Sequence, residues 1–103
     1  MEDATREKIE ALLKAHRIVL FMKGTKHFPQ CGFSAQVASV LQRAGAEYHD
    51  VNVLLDPELR QGIKDYASWP TVPQLYVDGN FIGGCDIVTD LFESGELEKL
   101  VAG

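Results

Sequence analysis

The segment IVLFM, Ile18–Met22, constrains the fold of this chain more than any other part of the sequence. A continuous apolar run of this length is too short for a buried helix, and strand-forming residue types predominate in it. A strand without polar positions is covered on both faces, so it lies inside a sheet rather than at its edge. The rest of the chain must therefore supply neighbouring strands and helices for both faces of that sheet.

Apolar residues at helical spacing predict one helix on each side of this strand, the first beginning near Thr5 and the second ending at Gly45. A third helix is expected after Asp56, because Asp56 provides an N-cap and Pro57 suits the first helical position. Glu58 adds an acid in the first turn of that helix. The apolar faces of the first two helices consist of Ile9, Leu12, Leu13 and His16, and of Phe33, Val37, Val40, Leu41 and Ala44.

A further strand and a hairpin complete the predicted sheet. The sequence EYHDVNV, residues 47–53, resembles a strand, and PQLYVDGNFIGG, residues 73–84, predicts a hairpin that turns at Asp78-Gly79. Asp86 is placed to cap the helix that follows, and a short last helix ends the chain. The order α-β-α-β-α-β-β-α-α predicts a single α/β domain over residues 1–103, arranged as a sandwich of three layers.

Charge and composition exclude several classes of function. A net charge of −5 in 103 residues provides no basic field for nucleic acid or for an acidic membrane. No apolar run approaches the roughly 18 residues of a membrane span, and the N-terminus has an amphipathic helix pattern rather than that of a signal or transit sequence. The two cysteines form no disulfide framework, so we expect free thiols and a cytoplasmic protein.

Cys31 is the candidate reactive residue, since it follows the buried strand and directly precedes the second helix. Backbone N–H groups and the helix dipole at such a position favour a thiolate. Lys23 and Lys26 lie close in sequence and are expected to add positive potential. Ser34 occupies the position where a Cys-x-x-Cys redox pair would have its second sulfur. The alternative is that Cys31 is a small inert core residue, as many cysteines are.

Two later segments offer further candidates with open alternatives. Pro73 follows Val72 immediately before the hairpin, and the spacing does not decide between a cis and a trans peptide bond there. The backbone amides of Gly84 and Cys85, together with Asp86, stand at a helix start. They either receive a carboxylate or do no more than cap the helix.

Taken together, these segments resemble the monothiol glutaredoxins of the Cys-Gly-Phe-Ser class. The resemblance implies a thioredoxin-like (glutaredoxin) fold, an α/β arrangement in which helices flank a four-stranded mixed sheet. It also implies a cis peptide bond before Pro73 and glutathione bound in a groove beside the thiol. It extends over essentially the whole chain, with these segments in the same order and spacing: Lys23-Gly24, Cys31-Gly32-Phe33-Ser34, Trp69-Pro70-Thr71-Val72-Pro73-Gln74 and Gly83-Gly84-Cys85-Asp86.

The resemblance further implies which residues bind glutathione. Lys23 and Arg60 contact its glycine carboxylate, although Arg60 is also compatible with a solvated surface charge. The backbone of Val72 pairs with the cysteinyl backbone, as an added strand does. Cys85 and Asp86 hold the γ-glutamyl end through their backbone amides and the Asp86 carboxylate. The surroundings are completed by Trp69, Phe33 and Gly83.

One function that the ligand count supports is carriage of a [2Fe–2S] cluster. Such a cluster usually takes four thiolates, whereas one chain offers Cys31 and the distant Cys85. Two Cys31 thiolates and two glutathiones make up the set, which gives a homodimer bridged by an exchangeable cluster. The resemblance implies the same assembly, with a BolA-type protein as an alternative partner, apo iron–sulfur proteins as recipients and a role in iron homeostasis.

The alternative function is enzymatic, a glutathione-dependent thiol–disulfide oxidoreductase with Cys31 as its nucleophile. Glutathione would resolve the mixed disulfide on Cys31, or Cys85 would do so if the two sulfurs approach bonding distance. The resemblance implies that this activity is weak in the class, and that the loop Thr25–Pro29 favours cluster binding over turnover. Ser34 removes a thiol that would compete for Cys31. We therefore favour the cluster carrier.

Overall fold

The computed structural model describes residues 1–103 and places Ile18–Met22 inside a four-stranded sheet, as the apolar run predicts. The predicted order of helices and strands is confirmed, and none of the helices has the length and apolar character needed to cross a bilayer. In chain order the elements are α1 (Asp3–Ala15), β1 (Ile18–Met22), α2 (Gly32–Arg43), β2 (His49–Asn52), a 3₁₀ helix (Val53–Leu55), α3 (Pro57–Ala67), β3 (Gln74–Val77), β4 (Asn80–Gly83), α4 (Cys85–Glu93) and α5 (Glu96–Val101).

The sheet is mixed, with the strand order β2-β1-β3-β4. Strand β1 pairs in parallel with β2 and antiparallel with β3, and β3 pairs antiparallel with β4. Every residue of β1 is buried, whereas the edge strands β2 and β4 remain partly exposed. The internal position of β1 follows from its composition, because an unbroken apolar strand needs cover on both of its faces.

Successive residues of β1 enter two separate cores, one on each face of the sheet. Val19 and Phe21 pack into a core with apolar residues of α1 and α3. Leu20 and Met22 pack into the other core, which α2, α4 and α5 cover. The molecule is therefore the expected sandwich of helix, sheet and helix layers, with β1 contributing to both cores.

The connection between β3 and β4 is the tight turn that the sequence predicts. Asp78 has a φ of 53° and Gly79 a φ of 79°. Positive φ at both central residues matches the twist of a two-residue hairpin, and Asp and Gly tolerate it better than most residue types. The turn directs β4 back along β3, so that α4 begins at the same edge of the sheet where β1 ends.

Two expectations about helix ends differ from the structure. Asp86 is not the N-cap of α4, because the helix begins at Cys85 with Gly84 as its N-cap and Asp86 in its first turn. Phe33, expected on the apolar face of α2, is 64% exposed. Val37, one turn later, is the first apolar residue of that face to enter the core. The first turn of α2 is thus left free to line a site rather than to pack against the sheet.

Candidate functional site

A loop that closes on itself joins the end of β1 to the start of α2. Thr25 and Phe28 exchange backbone hydrogen bonds of 3.2 and 3.1 Å. The backbone amide of Gln30 donates to the carbonyl of Lys23 at 2.9 Å. Because the loop returns to the strand end from which it departs, the residue after Gln30 is held beside Lys23.

Lys26, within this loop, is directed away from the thiol and towards the neighbouring edge strand. Its backbone amide donates to the Asp50 carboxylate at 2.8 Å, and its Nζ donates to the Tyr48 carbonyl at 2.6 Å. The same Nζ lies 4.2 Å from the centroid of the Tyr48 ring. Of the two lysines expected near the thiol, only Lys23 contributes to the electrostatic environment of Cys31.

Cys31 is the N-cap of α2 and is partly exposed, so it is not an inert residue of either core. The backbone amide of Ser34 contributes most to lowering the pKa of the Cys31 thiol, and the amide of Phe33, the charge of Lys23 and the Ser34 hydroxyl add to the effect. Partial burial opposes them, but the pKa still lies below that of an ordinary thiol. The thiolate is the form that attacks disulfides and binds metals, and the site favours it.

Ser34 occupies the position of the second cysteine in a Cys-x-x-Cys pair, and its side chain forms a hydrogen bond within the fold. Its side chain is fully buried, and its hydroxyl oxygen accepts a hydrogen bond of 3.0 Å from the backbone amide of Lys23. The serine therefore joins the end of β1 to the first turn of α2. This contact holds Lys23 and Cys31 in a fixed relation to each other.

Cys31 lines a cleft of about 580 Å³ together with most of the residues that the sequence predicts for the site. Lys23 contributes a positive charge to the lining of this cleft, and Asp86, in the first turn of α4, contributes a negative charge. Aromatic side chains of Phe33 and Trp69 form part of the wall. Besides Cys31, the lining consists of Lys23, Phe33, Lys64, Trp69, Pro70, Thr71, Val72, Pro73, Gly84, Cys85, Asp86 and Ile87.

The segment between α3 and β3 forms one wall of this cleft, and its shape is fixed from within the protein. The peptide bond between Val72 and Pro73 is cis, as the resemblance implies. The fully buried amide of Gln74 donates to the carbonyls of Trp69 and Thr71 at 3.3 and 3.1 Å. Neither the backbone N–H nor the C=O of Val72 forms a hydrogen bond within the chain. This wall thus offers an unpaired backbone unit to a ligand.

The start of α4 lines the cleft next to this segment. The N–H groups of Cys85 and Asp86 are the first two of the helix, and such groups have no partner within a helix. Gly84 permits a close approach here, because a Cβ at this position would lie 3.1 Å from Nε1 of Trp69. The absence of a side chain at Gly84 therefore lets the indole pack against the helix start, and both Cys85 and Asp86 line the cleft.

The pKa of the Cys85 thiol is shifted in the opposite direction from that of Cys31. Burial contributes most to raising the pKa of the Cys85 thiol, and the negative charges of Asp86 and of the Cys31 thiolate raise it further. The Thr89 hydroxyl opposes this shift without cancelling it. Both cysteines are free thiols, and their surroundings favour ionisation of Cys31 and oppose ionisation of Cys85.

Arg60 does not line the cleft, although the resemblance places it near the glutathione carboxylate. Lys64, one turn later on α3, lines the cleft with Lys23. Sequence reasoning missed Lys64, although residues four apart share a helix face and Arg60 pointed to that face. Gly83 is likewise absent from the lining, and its neighbour Gly84 takes part instead.

No group of three or more His, Cys, Asp or Glu side chains converges to hold a metal ion within one chain. His16 and His49 stack on each other, with ring centroids 3.8 Å apart and planes at 9°, and neither lines the cleft that contains Cys31. His27 belongs to the closed loop and meets no second histidine ring. A metal centre at Cys31 would therefore need ligands from outside the chain.

Comparisons with known proteins agree on one family. The family model described as Glutaredoxin matches residues 18–82 of the chain. A probable monothiol glutaredoxin 2 of Rickettsia felis is 49% identical over 102 residues, covering 99% of this chain and 98% of that protein.

Solved structures with the same fold include two poplar proteins. The solution structure of reduced apo GrxS14 has a TM-score of 0.80 at 51% sequence identity, covering 91% of this chain and 86% of that one. The crystal structure of the holo form of glutaredoxin C1 has a TM-score of 0.85 at 28% identity, covering 96% of this chain and 87% of that one. Both confirm the thioredoxin-like arrangement of helices and strands.

Proposed function

This chain belongs to the glutaredoxin family and, within it, to the monothiol class, and on that basis we propose that two copies of it carry a [2Fe–2S] cluster bound by Cys31 and glutathione. The proposal rests above all on Cys31, the thiol whose ionised form the protein favours and which lines the cleft. The cluster is cargo, received and passed on, rather than a permanent part of the protein.

Three features of the cleft support glutathione as its ligand. The unpaired backbone N–H and C=O of Val72 are available to pair with an extended peptide, as an added strand would. The free amides of Cys85 and Asp86 stand at a helix start, which favours a carboxylate such as that of the γ-glutamyl end. Lys23 brings a positive charge for the glycine carboxylate. A tripeptide held in this way places its sulfur beside Cys31.

The second cation for the glycine carboxylate is proposed to come from α3. Arg60 is the residue that the family resemblance nominates, and Lys64 is the one that lines the cleft. Substituting each of Lys23, Arg60 and Lys64 by Gln separates their roles. Trp69 is the single tryptophan of the chain and lines the cleft, so its fluorescence reports the Kd of glutathione directly. We expect Lys23→Gln to raise the Kd by about tenfold, as the loss of a charge-assisted hydrogen bond does.

The ligand count supports a bridged pair of copies. A [2Fe–2S] cluster usually takes four thiolates, and of the two cysteines in one chain only Cys31 has its ionised form favoured by its surroundings. One Cys31 thiolate and one glutathione thiolate from each copy complete the set. Half of these ligands are not covalently part of the protein, so the cluster can leave by exchange with the thiolates of a recipient.

Anaerobic reconstitution with iron, sulfide and glutathione tests this function. We expect a species with the visible absorption of a [2Fe–2S] cluster and the mass of two chains, and we expect neither without glutathione. Cys31→Ser should abolish the cluster, and the matched control Cys85→Ser should retain it. A cluster that persists in Cys31→Ser would contradict the ligand assignment. A wild-type protein that forms no such dimer would contradict the carrier function itself.

A second candidate function, glutathione-dependent reduction of mixed disulfides, is favoured by the same lowered pKa of Cys31. The Cys31 thiolate would attack the glutathione sulfur of a glutathionylated protein and release that protein's thiolate. A second glutathione thiolate would then attack the disulfide on Cys31, giving oxidised glutathione and restoring the Cys31 thiolate. A rate of deglutathionylation comparable to that of a dithiol glutaredoxin would place this function first.

We also propose the setting in which the carrier works. Free thiolates and exchangeable glutathione require a reducing compartment, so the protein is expected to act in the cytoplasm. Apo iron–sulfur proteins are the expected recipients, and a BolA-type protein is the expected alternative partner in place of the second copy. Through them the protein would contribute to iron homeostasis. Transfer of the cluster to an apo-ferredoxin, followed by its circular dichroism, is the measurement that checks the recipient class.

A further inference from the structure

Two phenylalanine side chains expose large apolar surfaces on either side of Cys31 in the sequence. Phe33 is 64% exposed and follows Cys31 by two positions, and Phe28 is 75% exposed and precedes it by three. Single exposed apolar residues are common, but two exposed aromatic rings within three positions of a reactive cysteine indicate a surface that another molecule covers. Neither ring is needed by the two cores of the fold.

Phe33 stands between two grooves. One is the cleft described above, and the other is a more open groove of about 770 Å³ on the far side of the ring. The two grooves share Cys31, Phe33, Cys85 and Asp86. Glutathione in the first groove would leave the outer side of the Phe33 ring uncovered. A second molecule that approaches the Cys31 sulfur from solvent therefore meets this ring.

We propose that Phe28 and Phe33 form the contact between the two copies in the cluster-bridged dimer and shield the cluster from water. The inference rests on the proposed function and adds to it the residues at which the copies touch. A cluster bound to Cys31 of both copies brings the surfaces around the two sulfurs face to face. A two-fold contact of this kind uses the same patch on each copy, so each patch must be compatible with itself, as an apolar one is.

The size of this contact makes the dimer depend on the cluster. A fully covered aromatic side chain buries about 150–250 Å², so four partly exposed rings bury less than the roughly 1,200 Å² of a stable interface. Two copies that each carry a net charge of −5 also repel one another. The apo protein is therefore expected to be a monomer, and the phenylalanine contact gains its effect only when the cluster holds the copies together.

The experiment compares wild type, Phe28→Ala, Phe33→Ala and the control Leu55→Ala after anaerobic loading. Leu55 is 83% exposed and lines neither groove, so it controls for loss of an exposed apolar side chain. Phe28 lines neither groove either, so Phe28→Ala tests the contact without altering the cleft. Each variant is loaded at a glutathione concentration that saturates its own measured Kd. Sedimentation gives the dimer fraction, and the decay of visible absorption with an iron chelator gives the cluster lifetime.

We expect both phenylalanine variants to load the cluster but to lose it about tenfold faster than wild type, the effect of about 1.4 kcal/mol. Their dimer fraction should fall in parallel, and Leu55→Ala should match wild type. A wild-type dimer whose lifetime neither phenylalanine variant shortens would overturn this inference and leave the carrier function standing. A wild-type protein that forms no cluster-bridged dimer would overturn the carrier function and this inference with it.

Discussion

The buried hydroxyl of Ser34 accepts a hydrogen bond of 3.0 Å from the backbone amide of Lys23. Through this bond one side chain connects the end of the central strand to the first turn of α2. Ser34 also contributes, through its own amide and hydroxyl, to the lowered pKa of Cys31. The residue that replaces a second cysteine thus supports both the position of Lys23 and the ionisation of Cys31.

Ser34→Ala is expected to destabilise the protein by about 1–3 kcal/mol, because it leaves the Lys23 amide without a partner in a partly buried position. The pKa of Cys31 should rise towards that of an ordinary thiol, since the hydroxyl no longer stabilises the thiolate. Urea unfolding measures the first effect, and the pH dependence of iodoacetamide alkylation measures the second. Ser39→Ala, at an exposed position of the same helix, is the control and should leave both unchanged.

The two thiols should react with iodoacetamide in different pH ranges. Because the pKa of Cys31 is lowered and that of Cys85 is raised, Cys31 should be alkylated at a pH at which Cys85 is still protonated. Mass spectrometry after short pulses of reagent distinguishes the two sites. Cys85→Ser should retain the reactive fraction seen at low pH, and Cys31→Ser should lose it. Alkylation of Cys85 first would contradict the assignment of roles.

Asp56 is expected to make the free energy of unfolding depend on pH in the acid range. It caps α3 through the amide of Leu59 at 3.1 Å, and its hydrogen bond with Lys8 contributes most to lowering the pKa of its carboxyl group. A pKa that is lower in the folded state stabilises the fold above the unfolded-state pKa. This stabilisation is lost as the pH falls through the folded-state pKa.

Asp56→Asn keeps a capping oxygen and removes the charge. We expect it to lower the free energy of unfolding relative to wild type at neutral pH, with a difference that shrinks below about pH 4, the usual range of a free Asp. Asp56→Ala should cost a further ~1 kcal/mol from loss of the cap. Urea unfolding across this pH range checks both, with the exposed Glu58→Gln on the same helix as control. A difference that stays constant down to acid pH would contradict the pairing.

Gly24→Ala should disturb the loop that leads to Cys31. Gly24 has a φ of +92°, and a Cβ there would lie 2.5 Å from the carbonyl oxygen of Phe28. Gly45→Ala is a matched control, because Gly45 has a φ of +77° but nothing within 4 Å of the added Cβ. Both variants pay the strain of positive φ, about 1–2 kcal/mol. Only Gly24→Ala should also change the alkylation rate of Cys31, and an equal effect in both would show that crowding is unimportant.

The elements that the sequence predicted well are those decided by local physics. The buried strand Ile18–Met22, the turn at Asp78-Gly79 and the start of α3 at Asp56 each depend on residue types within a few positions. The local conformational preferences of these residues agree with the structure that tertiary packing requires, so the sequence alone predicts them. The cleft residues contributed by separate segments could be expected together only through the family resemblance.

The features that the sequence did not reveal depend on contacts between distant segments. Lys26 is directed to Asp50 and away from Cys31, and nothing near Lys26 in the sequence announces that partner. Lys64 lines the cleft because of how α3 lies against the sheet. Phe33 follows the periodicity of a core residue yet stays exposed, and such disagreement between pattern and burial is expected where function, rather than packing, fixes a residue.

The hydrogen bonds that Gln74 donates to the wall of the cleft can be lost through a single mutation. A single base change converts its codon to that of glutamate, a side chain of almost the same shape. The change would replace the donor nitrogen by an oxygen that faces the carbonyls of Trp69 and Thr71. The segment that carries Val72 would then lose both of its internal supports. One atom that no ligand reaches thus limits which mutations the binding surface can tolerate.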